Sequence, residues 1–221
     1  MKSFPTLLAV LVSSACLPLC QAAIIASYDF SSGLASGDSE TTSTASDIQS
    51  GGGLGAVADG WGRSGTLSDL YIRSSVTSDT LTPDDYISFT VTADPGTSYN
   101  FTSLTFKYSV QVATSGPVPI SSNAVVRSSL DNFATNLGTF AVMRTASGTT
   151  TLSPGPSVDL SAYTNVSGAV EFRIYVFDDV DAIGSQSRFD NIILNATIVP
   201  EMSGVSLVAF GSLLLAWKRR R

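Results

Sequence analysis

Val170-Glu171-Phe172-Arg173-Ile174-Tyr175-Val176-Phe177 is the stretch that decides the fold. β-branched and aromatic side chains fill it, and apolar residues recur at every second position. A strand sends successive side chains to opposite faces, so Val170, Phe172, Ile174 and Val176 share one face, the core. Glu171, Arg173, Tyr175 and Phe177 share the other. Glu171 and Arg173 are two residues apart on that face, a spacing that makes a surface ion pair.

Working outward, residues 24–30, 70–74, 86–92, 104–112, 124–129 and 191–199 have the same β-rich character, bounded by Gly, Pro, Asp and Ser. No segment between residues 23 and 198 keeps a helical period. Many short strands in one domain of this size predict an all-β fold, an antiparallel two-sheet sandwich. Asp94-Pro95-Gly96 and Gly116-Pro117 mark hairpin or crossover corners. Residues 31–60 are rich in Gly, Ser, Thr and Asp and read as a long surface excursion with at most short strands. No repeat of 20–50 residues is present.

Composition closes off several chemistries. The 221 residues include no histidine, and both cysteines, Cys16 and Cys20, lie near the N-terminus. Beyond residue 22 there is neither thiol nor imidazole, which excludes Ser-His-Asp and Cys-His catalysis, zinc sites built on His or Cys, and disulfide scaffolding. Residues 23–200 hold seven basic and seventeen acidic side chains, a net charge of −10. Such a domain repels nucleic acid and anionic lipid. Ser and Thr make up 57 residues against three Lys, giving the hydroxyl-rich, weakly charged surface of many extracellular β proteins.

The two ends are addresses. Met1-Lys2-Ser3, an apolar run over 4–19 and small residues near Cys20-Gln21-Ala22 make a secretory leader over 1–22. Its partners are the Sec export machinery and signal peptidase. The apolar run before Cys16 is short and Ser13 is a poor first lipobox residue, so Cys16 is not read as a lipidated cysteine. Near the C-terminus, Val199-Pro200-Glu201-Met202-Ser203-Gly204 is followed by an apolar segment over 205–217 and then Lys218-Arg219-Arg220-Arg221. As a helix, 203–217 measures roughly 22 Å at 1.5 Å per residue. That is short of a hydrocarbon core of about 30 Å, but Trp217 at the interface and snorkelling cations let it span. The terminal charges hold that end in the cytoplasm and put the domain outside.

This tail resembles the PEP-CTERM sorting signal of Gram-negative bacteria, a segment also catalogued as an ice-binding protein C-terminal domain. Val199, Pro200 and Glu201 match the sorting motif, and Met202 stands where the second proline falls. The resemblance covers 199–221. It implies export, transient or permanent anchoring in the cell envelope through Lys218, Arg219, Arg220 and Arg221, and processing by an exosortase. Tyr28-Asp29-Phe30, Val126-Arg127-Ser128-Ser129-Leu130-Asp131 and Phe189-Asp190-Asn191-Ile192 resemble, more loosely, jelly-roll domains of exported bacterial proteins. The expected organisation is a signal helix, a jelly-roll-like sandwich over 23–198 and a short transmembrane helix.

Three constellations within the domain bear on its chemistry. Asp178, Asp179 and Asp181 follow the strongest strand. If Asp29 and Asp190 meet on adjacent strand ends, they offer oxygen ligands for a structural calcium ion. An acidic solvated turn explains the same residues, and no cofactor is otherwise expected. Only Glu40 and Glu171 are available as glutamates for glycoside hydrolysis, without the E-x-D-x-x-E pattern of laminarinase-type sandwiches, so no enzyme is expected. Trp61, between Gly60 and Gly62, offers a ring for stacking on a sugar or for capping the core. A sugar-stacking Trp61 would make the domain a carbohydrate-binding module acting in extracellular polysaccharide. The sequons at Asn100, Asn165 and Asn195 are about as many as chance provides, and Thr149-Thr150-Thr151 is no ice-binding array.

Overall fold

The computed structural model describes residues 21–54, 62–66, 69–75, 78–112, 118–148, 152–179 and 185–200. Residues 1–20 of the expected 1–22 signal helix, Trp61, Asp181, Glu201 and the tail with its four cations lie outside the described residues.

The described chain is all-β, two antiparallel sheets packed face to face. The first sheet contains β1 (Gln21–Tyr28), β4 (Gly62–Thr66), β5 (Asp69–Ser75), β7 (Thr97–Val112), β10 (Ser153–Asp159) and β12 (Ser185–Pro200). Its order is β10-β7-β12-β5-β4, with β1 also on β12. The second contains β2 (Ser43–Ala45), β3 (Gln49–Ser50), β6 (Tyr86–Ala93), β8 (Ile120–Ser128), β9 (Gly138–Arg144) and β11 (Ala169–Asp178). Its order is β2-β6-β11-β8-β9, with β3 also on β6.

The alternation of β11 holds. Val170, Phe172, Ile174 and Val176 are buried between the sheets. A chain of rings fastens the two layers: Tyr28 packs on Phe89 at 5.2 Å, Phe89 stacks on Phe172 at 5.7 Å, and Phe101 meets Phe172 edge-on at 5.5 Å. Offset and edge-to-face geometries match the quadrupoles of the rings and add to the area they bury. Asp94-Pro95-Gly96 is a crossover corner, since β6 lies in the second sheet and β7 in the first. Gly96 sits at φ +83, which only a residue without Cβ adopts at low cost.

Two features differ from the sequence reading. Residues 31–54, the described part of the 31–60 excursion, do carry only short strands, β2 and β3, but they are tied into the fold: Ile48 and Leu54 are buried, and Leu34 packs on the core. Gly51 makes this close approach workable. Its amide donates to Tyr86 O at 2.7 Å, and an added Cβ would stand 2.2 Å from Asp84 O. Strands β4, β9 and β10 were also not anticipated. β4 and β10 contain Gly or Pro, and β9 is an edge strand whose outward residues, Thr139, Ala141 and Met143, are exposed.

β12 is the organising strand. It pairs β7 from Ser185↔Val112 to Pro200↔Thr97. One half of it also pairs β5, and the other pairs β1 from Tyr28↔Ile192 to Gln21↔Ile198. Gln21 and Ala22, assigned above to the leader, are therefore the first rungs of β1.

Candidate functional site

The outer face of the second sheet gathers the described polar and aromatic groups best suited to meet a ligand. β6, β11 and β8 lie side by side there, with Tyr86 opposite Tyr175 and Arg173 between Ser88 and Arg127. Two guanidinium groups directly across strands repel one another. Each is held by other partners. Arg173 makes a forked pair with Glu171, Nε to Oε1 at 2.7 Å and Nη2 to Oε2 at 3.3 Å. Its guanidinium also lies over Tyr86, 4.3 Å from the ring centre, and over Phe133 at 3.7 Å. Burial works against its charge, but the bonds to Glu171 and Tyr175 hold its pKa above the ordinary arginine value. Arg127 donates to Asn136 Oδ1 at 2.8 Å and Phe133 O at 3.2 Å, and its guanidinium lies 5.4 Å from the centre of the Tyr175 ring.

Phe133 reaches Arg173 through local backbone chemistry. Ser129–Asp131 forms a 3-10 turn, and Asn132 and Phe133 follow at φ +58 and +60. The Asp131 carboxylate accepts from the Ala134 and Thr135 amides and the Thr135 hydroxyl. Those bonds, the Thr135 hydroxyl foremost, hold its pKa below the usual carboxylate range. The Glu171 amide donates to Ser129 Oγ at 3.0 Å and docks the turn on β11. The result is a preformed surface of rings, a fixed guanidinium and a carboxylate. Chemically it can stack on the face of a ring and exchange hydrogen bonds with hydroxyl or acid groups. Sequence reasoning paired Glu171 with Arg173 but did not place Tyr86, Phe133 and Arg127 beside them. The Asp131-Asn132-Phe133 turn was the available signal.

Asp29 follows the last residue of β1, and Asp190 lies within β12, two residues before Ile192, the partner of Tyr28. Their carboxylates are turned to protein donors. Asp29 accepts from the Ser31 hydroxyl and amide, which lower its pKa. Asp190 forms a 3.1 Å ion pair with Lys107 beside a bulge at Asn191, whose φ is +49. Among the described residues, no three Asp, Glu, His or Cys side chains gather where a metal ion could be held. Glu40 is engaged by its own loop, accepting from Thr41 and Thr42. Asn100 accepts from the Asn165 amide at 2.8 Å, so two sequon asparagines brace one another. Val199 and Pro200 are the last rungs of β12, opposite Ser98 and Thr97. A concavity of about 340 Å³ between β1 and residues 37–40 offers Asp38 and Glu40, both tied into local turns.

No protein-family model matches the chain, and no curated protein does either. Among solved structures it is similar to an arabinose-bound MgGH51 α-L-arabinofuranosidase, with 12% identity and a TM-score of 0.40. That match covers 78% of this chain and 27% of the other. It is also similar to the K1 cleaved adhesin domain of Lys-gingipain from Porphyromonas gingivalis W83, at 16% identity and TM-score 0.38, covering 76% and 95%. A third is a CBM4 structure at 14% identity and TM-score 0.26, covering 61% and 88%.

Proposed function

We propose that the chain is an exported bacterial surface or extracellular-matrix protein without catalytic machinery. On this reading a jelly-roll-like sandwich is carried out by the leader over 1–22 and held by the short transmembrane helix over 205–217. An exosortase then sorts it at Val199, Pro200 and Glu201. The observation that supports the reading is the course of β12. The middle strand of the first sheet runs directly into the sorting motif, and β1 begins beside its end. Gln21 and Pro200 lie at the same end of the sandwich, and on this reading the opposite end faces away from a membrane that holds the tail.

Intact-mass and C-terminal peptide analysis of the protein from membrane and released fractions of its native host tests this. The expected product lacks 1–22 and everything beyond 200–203. A product that keeps Arg221 in the membrane fraction would make the tail a permanent anchor, and one found in the cytoplasm with Met1 in place would overturn the reading.

A second reading, a module that binds extracellular polysaccharide, is favoured by the preformed surface of Tyr86, Phe133, Glu171 and Arg173. A glycan-binding screen separates the two readings. Binding that survives Trp61→Ala and is lost in Tyr86→Ala would place the sugar on the second sheet, and absence of binding to any glycan would remove this reading. A hydrolase screen is expected to show no turnover, because the Glu171 carboxylate is already occupied by Arg173.

A further inference from the structure

Asp178 ends β11 on its core side and is 1% exposed. Its rung partner on β8 is Ser122. The facing sheet contributes Tyr108 from β7 and Ser185 and Ser187 from β12. Tyr108 Oη lies 2.8 Å from Ser122 Oγ and 3.2 Å from Ser187 Oγ, and the two serine oxygens are 3.1 Å apart. Three hydroxyl groups thus form a closed ring across the two sheets. The Ser185 hydroxyl donates to Asp178 Oδ2, and Asp178 Oδ1 is buried with no hydrogen-bond partner.

Among the described residues, the charged and titratable neighbours do not neutralise it. Asp179, the next residue, opposes its ionisation and accepts from the Ser121 amide. Tyr108 is kept un-ionised by burial. On the β6 side stands the buried Asp85, whose carbonyl accepts the Val176 amide. On the β9 side, Arg144 is paired to Ile120, one strand and two residues away, and donates to Gly148 O. Arg188 alternates to the opposite face of β12 from Ser187. An ionised carboxylate here would have too few donors among the described residues for its two oxygens, and burial keeps water from supplying the rest. Burial accordingly raises the Asp178 pKa, against the hydroxyls of Ser185 and Ser122, which lower it. A proton, unlike a metal ion, needs no cavity to neutralise the group.

We propose that Asp178 is a proton-operated clasp. Protonated, it joins the end of β11 to the start of β12 and closes the end of the sandwich farthest from Pro200; ionised, it loosens that end. A group whose pKa is raised on folding contributes fully below its unfolded value. That contribution is lost as pH rises through the folded value, so this end is tightest in acid. The site is independent of the sorting and glycan readings.

The test compares thermal melts of the full chain in mild detergent, from pH 4 to pH 8, with those of Asp178→Asn. Asparagine keeps the shape and the Ser185 bond but has no proton to lose. The expected result is that the wild type loses melting temperature relative to the variant as pH rises. A difference constant across the range overturns the proposal. Hydrogen exchange in the wild type keeps the test open should the variant not fold. The Asp178 and Asp179 amides, bonded to Ser78 O and Ser121 O, report the clasped end. After correction for intrinsic rates, their exchange is expected to quicken several-fold as pH rises from 4 to 8. The Tyr99 amide near the other end, bonded to Val166 O, should not change. Equal behaviour of the two ends overturns the proposal.

Discussion

β11 sends Arg173 outward and Asp178 inward, and the fold treats the two in opposite ways. Arg173 keeps its charge because a carboxylate on its own strand and two rings solvate it, while one edge still reaches water. Asp178 has hydroxyl groups alone, since the facing strand places serines rather than cations at that level. A strand can thus hold an arginine on its wet face with strand-local partners. On its dry face a carboxyl group takes whatever the second sheet presents.

The largest expected effect breaks the wall between these two faces. Phe172 is fully buried, stacked on Phe89 and edge-on to Phe101. Phe172→Ala should cost about 3–5 kcal/mol, the usual penalty for a buried ring whose cavity cannot collapse. Denaturant unfolding of the full chain measures it. A loss below about 1 kcal/mol would mean that the sheets do not depend on this ring chain to stay packed.

Arg173→Ala comes next. It removes the partner of Glu171 and the group filling the gap between Tyr86 and Phe133, but leaves the Glu171 carboxylate in reach of water. The expected loss is about 1–2 kcal/mol, from cation–π contacts and a partly exposed ion pair together. Glu171→Gln should cost less than the arginine change, because it spares both rings, and its cost should shrink in high salt. If the two variants are equally damaging, the ion pair rather than the rings holds Arg173, and the contrast drawn with Asp178 fails.

Much of this was legible in the sequence. The period-two alternation from Val170 to Phe177 specifies a strand buried on one side, and it gave the core face correctly. Two of the strands missed lack that signal: β10 contains Ser153-Pro154-Gly155-Pro156, and β4 begins and nearly ends in glycine. They form by pairing with β7 and β5, whose patterns are strong, so tertiary context overrides weak local propensity. The Glu171–Arg173 pair was legible because its spacing is local. The rings around it were not, since Tyr86 and Phe133 arrive from distant segments and meet Arg173 only in the folded sheet. The Asp178 clasp was hidden for the same reason: its partners Tyr108 and Ser187 are brought to it by the facing sheet. The acidic run 178–181 instead suggested an exposed turn, and Asp178 lies at its buried edge.

The smallest effect concerns the turn that delivers Phe133 to the outer face. Asp131 is partly exposed, and its pKa is lowered by the Thr135 hydroxyl and by the Ala134 and Thr135 amides. A group whose pKa falls on folding contributes above its unfolded value, and the contribution is lost as pH drops through the folded value. Acid should therefore loosen this turn first, while the same acid tightens Asp178 at the far end of the core. Asp131→Asn should remove a few tenths of a kcal/mol at neutral pH, as expected for a partly exposed cap. It should also flatten the acid response of the Thr135 amide, followed by hydrogen exchange below pH 5. If Thr135 loosens in acid to the same extent with asparagine at 131, the turn is held by Phe133 on Arg173 rather than by its cap. The outer face would then be built from the ring inward, not from the turn outward.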